Sequence, residues 1–292
     1  MIDWQERITR DTGGAIRVEH RVRYAVAAPL VADAPLWADL GCGNGIAAAE
    51  ALGGRLPGRI LLVDSSQDAL TQATREFATD ALTTLEADLS SPADLKRVRE
   101  ALSAGDGEGG CLTAFEVVEH LADFAPLIEL LVELAEDGGF TSVLSVPNDA
   151  FWAIENPYHL TKWGEGAFEE LRRLLPEDHV VARQHALQGS VAVVEGADAE
   201  ARTVSIEPTP EPVATHFLVA FGPAAERLGG AAEVAEADLL EQRRWERQRE
   251  SDSAHLQATE QWLRSELEDW RGYIHELERR LGLPLSGKQD SE

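Results

Sequence analysis

The sequence predicts an α/β fold: a mostly parallel sheet with helices on both faces, followed by a long C-terminal helix. Three observations carry this. Short apolar runs alternate with helical patterns from residue 36 to residue 147. The first run, Leu36-Trp37-Ala38-Asp39-Leu40, opens into the glycine-rich Gly41-Cys42-Gly43-Asn44-Gly45. From Ala231 onward the composition changes, with dense charge and no glycine or proline until Gly272. Strands that alternate with helices make βαβ units, and such units build a parallel sheet covered on both sides.

The elements follow in order. Val18, Val22, Ala25 and Val26 share one face of a helix beginning near Ala15 and ending near Pro29. Leu36 to Leu40 is a buried strand, and Ile46 to Leu52 is an alanine-rich helix stopped by Gly53-Gly54. Arg59 to Asp64 is a second strand, and Ser66 caps a helix from Gln67 to Ala78. A third strand lies within Leu82 to Leu89. Ser91-Pro92 opens the next helix, with proline at a favoured first position. Cys111 to Glu116 and Phe140 to Val146 are strands four and five, with a helix from Leu121 to Ala135 between them. Ala167 to Leu175 is helical. Val180–His185, Val191–Val194 and Thr215–Phe221 are strands at an antiparallel end of the sheet, and Glu195 to Pro212 is an exposed excursion. Leu256, Leu263, Leu267, Trp270, Ile274, Leu277 and Leu281 follow spacings of three and four, interrupted only by Glu260. That is an a/d heptad seam, expected to pair with another chain; the alternative is a helix packed back on its own domain. The expected organisation is an N-terminal helical cap at 1–30, a ligand-binding domain at 31–228, a coiled-coil helix at 231–284 and a disordered tail at 285–292.

Composition narrows the function. The 292 residues carry a formal net charge of −26. So acidic a chain lacks the cationic surface that nucleic acid requires, so no nucleic-acid partner is expected. There is no apolar signal core at Met1-Ile2-Asp3-Trp4 and no run of about 18 apolar residues, which predicts a cytoplasmic protein without a membrane span. The two cysteines, Cys42 and Cys111, suggest neither a disulfide framework nor a zinc site.

Four successive strands end in acids: Asp39, Asp64, Asp88 and Glu116. In an open α/β sheet the carboxyl ends of the strands form the ligand-binding edge. One acid after a strand is an ordinary helix cap; four in order, the first followed by a glycine loop, point to a ligand. Glycine lets that ligand approach the backbone, and the next helix presents free N–H groups. A dinucleotide fingerprint, G-x-G-x-x-G, needs a third glycine where Ile46 stands, which argues against a nicotinamide or flavin.

Asp39-x-Gly41-x-Gly43-x-Gly45 instead resembles the class I S-adenosylmethionine-dependent methyltransferases, and the resemblance implies a Rossmann-like fold with a mostly parallel seven-stranded sheet. Leu62-Val63-Asp64, Glu86-Ala87-Asp88-Leu89, Phe115-Glu116-Val117-Val118-Glu119-His120-Leu121 and Leu144-Ser145-Val146-Pro147-Asn148 resemble the later motifs of that family in order, and the likeness covers most of residues 15–222. Glu19-His20-x-x-Arg23-Tyr24 and Asn156-Pro157-Tyr158-His159-Leu160-Thr161-Lys162-Trp163 resemble a subgroup encoded with polysaccharide and glycan genes. The resemblance implies S-adenosyl-L-methionine as cofactor. Its binding set would be Tyr24, Asp39, Gly41, Cys42, Gly43, Asp64, Ser65, Asp88, Leu89 and Glu116. Asp64 would hold the ribose hydroxyls, Asp88 would face the adenine amino group, and Asp39 with the loop backbone would receive the methionine end. A carboxylate suits a diol because it accepts both hydroxyls.

The implied reaction is methyl transfer to a hydroxyl, less readily a nitrogen, of a sugar, glycan or other small acceptor. His159 is the first candidate for general base, since an imidazole near pKa 6.5 can take a hydroxyl proton. His120 and Glu119 are the next. His20 and Tyr24 are candidates for a lid, with a plain surface helix as the alternative for His20. His159 with Asp149 is the one pair with a conceivable metal role, and no ligand spacing supports it. The competing reading is a catalytically silent module whose coiled coil is an oligomerisation scaffold.

Overall fold

The computed structural model describes residues 14–104, 109–152, 156, 158–186, 213–232, 259, 262–268 and 270–281. The chain divides into two units, Met1–Ala235 and Glu236–Glu292.

The first unit is built on the strands β1 (Trp37–Leu40), β2 (Ile60–Asp64), β3 (Leu82–Glu86), β4 (Gly110–Phe115), β5 (Phe140–Pro147), β6 (Val180–Gln184) and β7 (His216–Phe221). They form one sheet in the order β3-β2-β1-β4-β5-β7-β6. The first five are parallel, while β7 runs antiparallel to both β5 and β6. This is the expected α/β, Rossmann-like architecture. The order reverses beside β1, where β2 lies on one side and β4 on the other, and the crevice at such a point is where ligands bind.

Continuous apolar strands are explained by burial on two faces, since alternate side chains feed opposite cores. Ala38, Leu40, Leu61, Val63, Leu112, Ala114, Leu144 and Val146 pack with α4 (Pro92–Ser103), α5 (Ala125–Glu136) and α7 (Glu165–Arg172). Trp37, Ile60, Leu62, Cys111, Phe115 and Val143 pack on the other side with α1 (Gly14–Ala32), α2 (Ile46–Leu52) and α3 (Gln67–Phe77). Tyr24, Ala27, Leu30 and Val31 of α1 belong to that second core, so α1 is built into the unit.

Ser66 and Ser91 cap α3 and α4 as expected, accepting from the amides of Ala69 and Asp94. α7 runs from Glu165 to Arg172 rather than Ala167 to Leu175, and two further boundaries differ. α1 continues through Pro29 to Ala32. Pro29 lies in the last turn and removes the N–H that would bond Ala25 O; beside it, Gly229 N donates to Val26 O at 3.0 Å, and Arg227 Nη2 to Pro29 O at 3.2 Å. α5 begins at Ala125, not Leu121. A 3₁₀ turn spans Val118–His120, Leu121 is extended, and the Asp123 side chain accepts from Ala125 N just before Pro126. A single turn, α6 (Asp149–Trp152), follows β5 where no helix was expected. The Val191–Val194 strand, the 195–212 excursion, Leu256, Glu260 and the 285–292 tail lie outside the described residues.

In the second unit, residues 262–268 and 270–281 are helical. Leu263, Leu267, Trp270, Ile274, Leu277 and Leu281 are exposed on it.

Candidate functional site

The glycine loop sits where the sheet order reverses. Gly41 N and Cys42 N both donate to Val63 O of β2, at 2.8 and 3.0 Å. Gly43 N donates to Asp64 Oδ2 at 2.9 Å, and Ser66 N to Asp64 Oδ1 at 2.9 Å. Each Asp64 oxygen therefore holds one backbone donor and keeps a lone pair. Gly41, Gly43 and Gly45 all have positive φ, at 78°, 55° and 72°. A Cβ on Gly41 would lie 2.4 Å from Val117 Cγ2, whereas one on Gly43 would meet nothing within 4 Å among the described residues. Gly41 is thus needed for packing against the turn after β4, and Gly43 borders open space.

Asp39 is buried within β1. Its Oδ2 accepts from Tyr24 Oη at 2.9 Å and its Oδ1 from Thr113 Oγ1 at 2.6 Å; Trp37 Nε1 in turn donates to Thr113 Oγ1 at 2.9 Å. Burial pushes the Asp39 carboxyl up to about 7, against the lowering effect of those two hydrogen bonds. Tyr24 and Asp39 are therefore brought together as a pair. Cys42 is buried, its Sγ donating to Gly43 O at 3.4 Å, and burial holds its thiol well above the usual range. Ser65 is exposed directly after Asp64. Asp88 is exposed and accepts from both the amide and the hydroxyl of Ser90; Leu89 beside it is buried.

A second set of groups gathers after β4. Glu116 has φ of 55°, unusual for a residue with a side chain. Ser145 Oγ donates to Glu116 Oε1 at 3.1 Å, and His216 Nε2 lies 3.4 Å from Oε2. Burial alone would raise this carboxyl, but the Arg23 guanidinium, then His216 and His20, hold it well below the usual range. Arg23 is itself buried, with Nη2 2.8 Å from His20 Nδ1 and Nη1 donating to Gln184 Oε1 at 3.2 Å. Burial and then Arg23 push His20 down to about 3, so it is a neutral partner of Arg23 rather than a free surface group.

Glu119, His120 and His159 meet beyond Glu116. One ligand atom from each lies within 4.8 Å of the others, and the two imidazole rings are edge to face with centroids 5.3 Å apart. His159 Nδ1 is 2.9 Å from Asp149 Oδ1, and Asp149 Oδ2 accepts from Trp163 N at 2.6 Å. His120 Nδ1 is 3.1 Å from Tyr158 O. Glu119 is fully buried, and neither carboxylate oxygen has a hydrogen-bond partner among the described residues. Burial, reinforced by the charge of Glu116, raises its carboxyl well above the usual range. The sequence shows no ligand spacing among these donors because His159 arrives on a loop 39 positions beyond His120. Arg23, Thr113, Ser145 and His216 were not singled out as site residues either, since they approach from α1, β4, β5 and β7, and only the sheet order places them side by side.

No family model matches the chain, and no curated protein matches it. Among solved structures the chain is similar to the methyltransferase domain of bacterial CtHen1, at 18% identity over 70% of this chain and 98% of that one, with a TM-score of 0.46. It is similar to a complex between the Haloferax volcanii Trm112 methyltransferase activator and a methyltransferase, at 22% identity over 73% and 93%, TM-score 0.43. It is also similar to the N-methyltransferase NodS of Bradyrhizobium japonicum WM9 in complex with S-adenosyl-L-homocysteine, at 15% identity over 72% and 88%, TM-score 0.43. At these values the likeness assigns no substrate and no residue role.

Proposed function

We propose that this chain transfers a methyl group from S-adenosyl-L-methionine to a hydroxyl of a sugar, glycan or other small acceptor. The observation that carries the reading is the junction of Gly43 and Asp64. Half-buried backbone that borders open space is hydrogen-bonded to a carboxylate with spare lone pairs, at the point where the strand order reverses. That fits a ribose diol on Asp64 and an amino-acid end along Gly41 and Gly43, with no diphosphate to cradle. Asp88 faces the adenine amino group in this reading. Asp39 acts through Tyr24 and Thr113, fixing the floor of the loop.

The cofactor supplies an activated methyl on a sulfonium. The protein's task is to align an acceptor oxygen with that carbon and to remove the hydroxyl proton, and alignment alone can provide most of the rate. The Asp149–His159 pair suits proton removal, because Asp149 holds Nδ1–H and leaves the Nε2 lone pair available. Labelled S-adenosyl-L-methionine offered with mono- and oligosaccharides tests this. Label should enter a base-stable ether, and Asp64→Ala should abolish incorporation. Label appearing only on nitrogen acceptors would overturn the hydroxyl assignment.

The C-terminal helix supports self-association. Leu263, Trp270 and Leu277 occupy one set of seam positions, and Leu267, Ile274 and Leu281 the other. In a parallel pair, Glu266 flanks the seam opposite Arg271 of the second copy, an attractive contact made twice. We read this helix as a homo-oligomerising coiled coil.

A further inference from the structure

We propose that Glu119, His120 and His159 bind a divalent transition-metal ion, to which the acceptor hydroxyl adds as a further ligand. The site rests on two independent observations. The first is the cluster itself, with three donor atoms mutually within 4.8 Å. Ligand atoms around an ion with bonds of about 2.0–2.2 Å sit roughly 3–4 Å apart, so small side-chain rotations close the set. The second is the buried Glu119 carboxylate, which has no partner on either oxygen among the described residues. A buried polar group in a folded protein is paired, and an unpaired one calls for a ligand or an ion.

The surrounding hydrogen bonds prepare the two imidazoles. Tyr158 O can only accept, so His120 carries its proton on Nδ1 and presents a lone pair at Nε2. Asp149 Oδ1 imposes the same tautomer on His159, and Asp149 is held by the amide of Trp163. A carboxylate behind a histidine is the usual outer support of a metal-ligating imidazole. The two halves of the site are also stitched together: Glu119 O accepts from Leu160 N at 2.8 Å and Thr161 N at 3.2 Å. Glu116, three residues before Glu119, is engaged by Ser145 and His216 and stays outside the set.

Two imidazoles and one carboxylate favour manganese, iron(II), cobalt or zinc over magnesium or calcium, which prefer oxygen-only shells. Three protein ligands leave positions open for an acceptor. A hydroxyl bound there is acidified. As the methyl carbon leaves sulfur with the C–S electron pair staying on sulfur, the acceptor oxygen forms the new C–O bond and its proton passes to solvent. His159 Nε2 is then a ligand rather than the base. This catalytic role rests on the methyltransferase reading; the binding of the ion does not.

The test uses the full chain, stripped with chelator and titrated with manganese and with zinc by calorimetry, with bound metal counted by elemental analysis. One ion per chain is expected. Glu119→Gln and His159→Ala should abolish measurable binding, and Asp149→Asn should weaken it about 10–100-fold while keeping every ligand. S-adenosylhomocysteine affinity and thermal melting, measured in parallel, report folding and the cofactor site separately. If Glu119→Gln does not fold, His120→Ala and Asp149→Asn decide. No ion bound to the wild-type chain, or equal binding by folded variants, overturns the site whatever the cofactor titration shows.

Discussion

Gly41 and Gly43 are two residues apart, share a left-handed backbone, and face different surroundings. A side chain at Gly41 meets Val117, and one at Gly43 meets open space. Gly41→Ala combines an adverse φ with overpacking and should cost about 2–5 kcal/mol by chemical denaturation. Gly43→Ala should cost about 1–2 kcal/mol from the backbone alone, yet lose most affinity for S-adenosylhomocysteine. Equal losses of stability would contradict these separate roles. At Asp39 the prediction concerns pH. Its folded value of about 7 stands above its ordinary 3.8. Between those values the folded chain holds a proton that the unfolded chain has released. The contribution of Asp39 is therefore whole below pH 3.8 and is lost as pH rises through about 7. Asp39→Asn should remove roughly 4 kcal/mol of pH-dependent change across that window, read as a flatter plot of unfolding free energy against pH. Sequence reading placed Asp39 at the ligand edge and could not show that its carboxyl is buried, with a side-chain donor on each oxygen. Those donors, Tyr24 and Thr113, are 15 and 74 positions away.

At the scale of elements, what was legible depended on how locally each element is determined. The caps at Ser66 and Ser91 bond to amides three residues on, so a short window of sequence contains both partners. The parallel strands were legible because each is an apolar run bounded by turn residues. The passage of α1 through Pro29 was not, because the donors to Val26 O and Pro29 O in its last turns belong to residues 229 and 227, far along the chain. Neither was the link from Arg23 to Gln184, which spans 161 positions. α7 offers a direct check on the β5–β7–β6 end of the sheet. Phe168 is buried and stacks on Phe217 with ring centroids 4.8 Å apart. Phe168→Ala should lower stability by about 3–5 kcal/mol while leaving S-adenosylhomocysteine affinity unchanged. A matching loss of affinity in the folded variant would mean that this end of the sheet takes part in cofactor binding.

The whole molecule combines a strongly acidic α/β unit with a helical unit whose apolar seam is exposed. Ending the chain at Gly230 should reduce its mass in light scattering to that of one chain and leave cofactor affinity intact. Unchanged association after truncation would refute the coiled coil, and a loss of cofactor affinity would mean that the tail does more than pair. Both depend on the central claim, that the crevice beside Gly43 and Asp64 holds S-adenosyl-L-methionine. Calorimetric titration of the full chain with S-adenosyl-L-homocysteine tests that claim most directly. One molecule should bind per chain, and Asp64→Ala, folded by its melting curve, should bind none. A wild-type chain that gives no heat and no thermal shift with either compound would contradict the account.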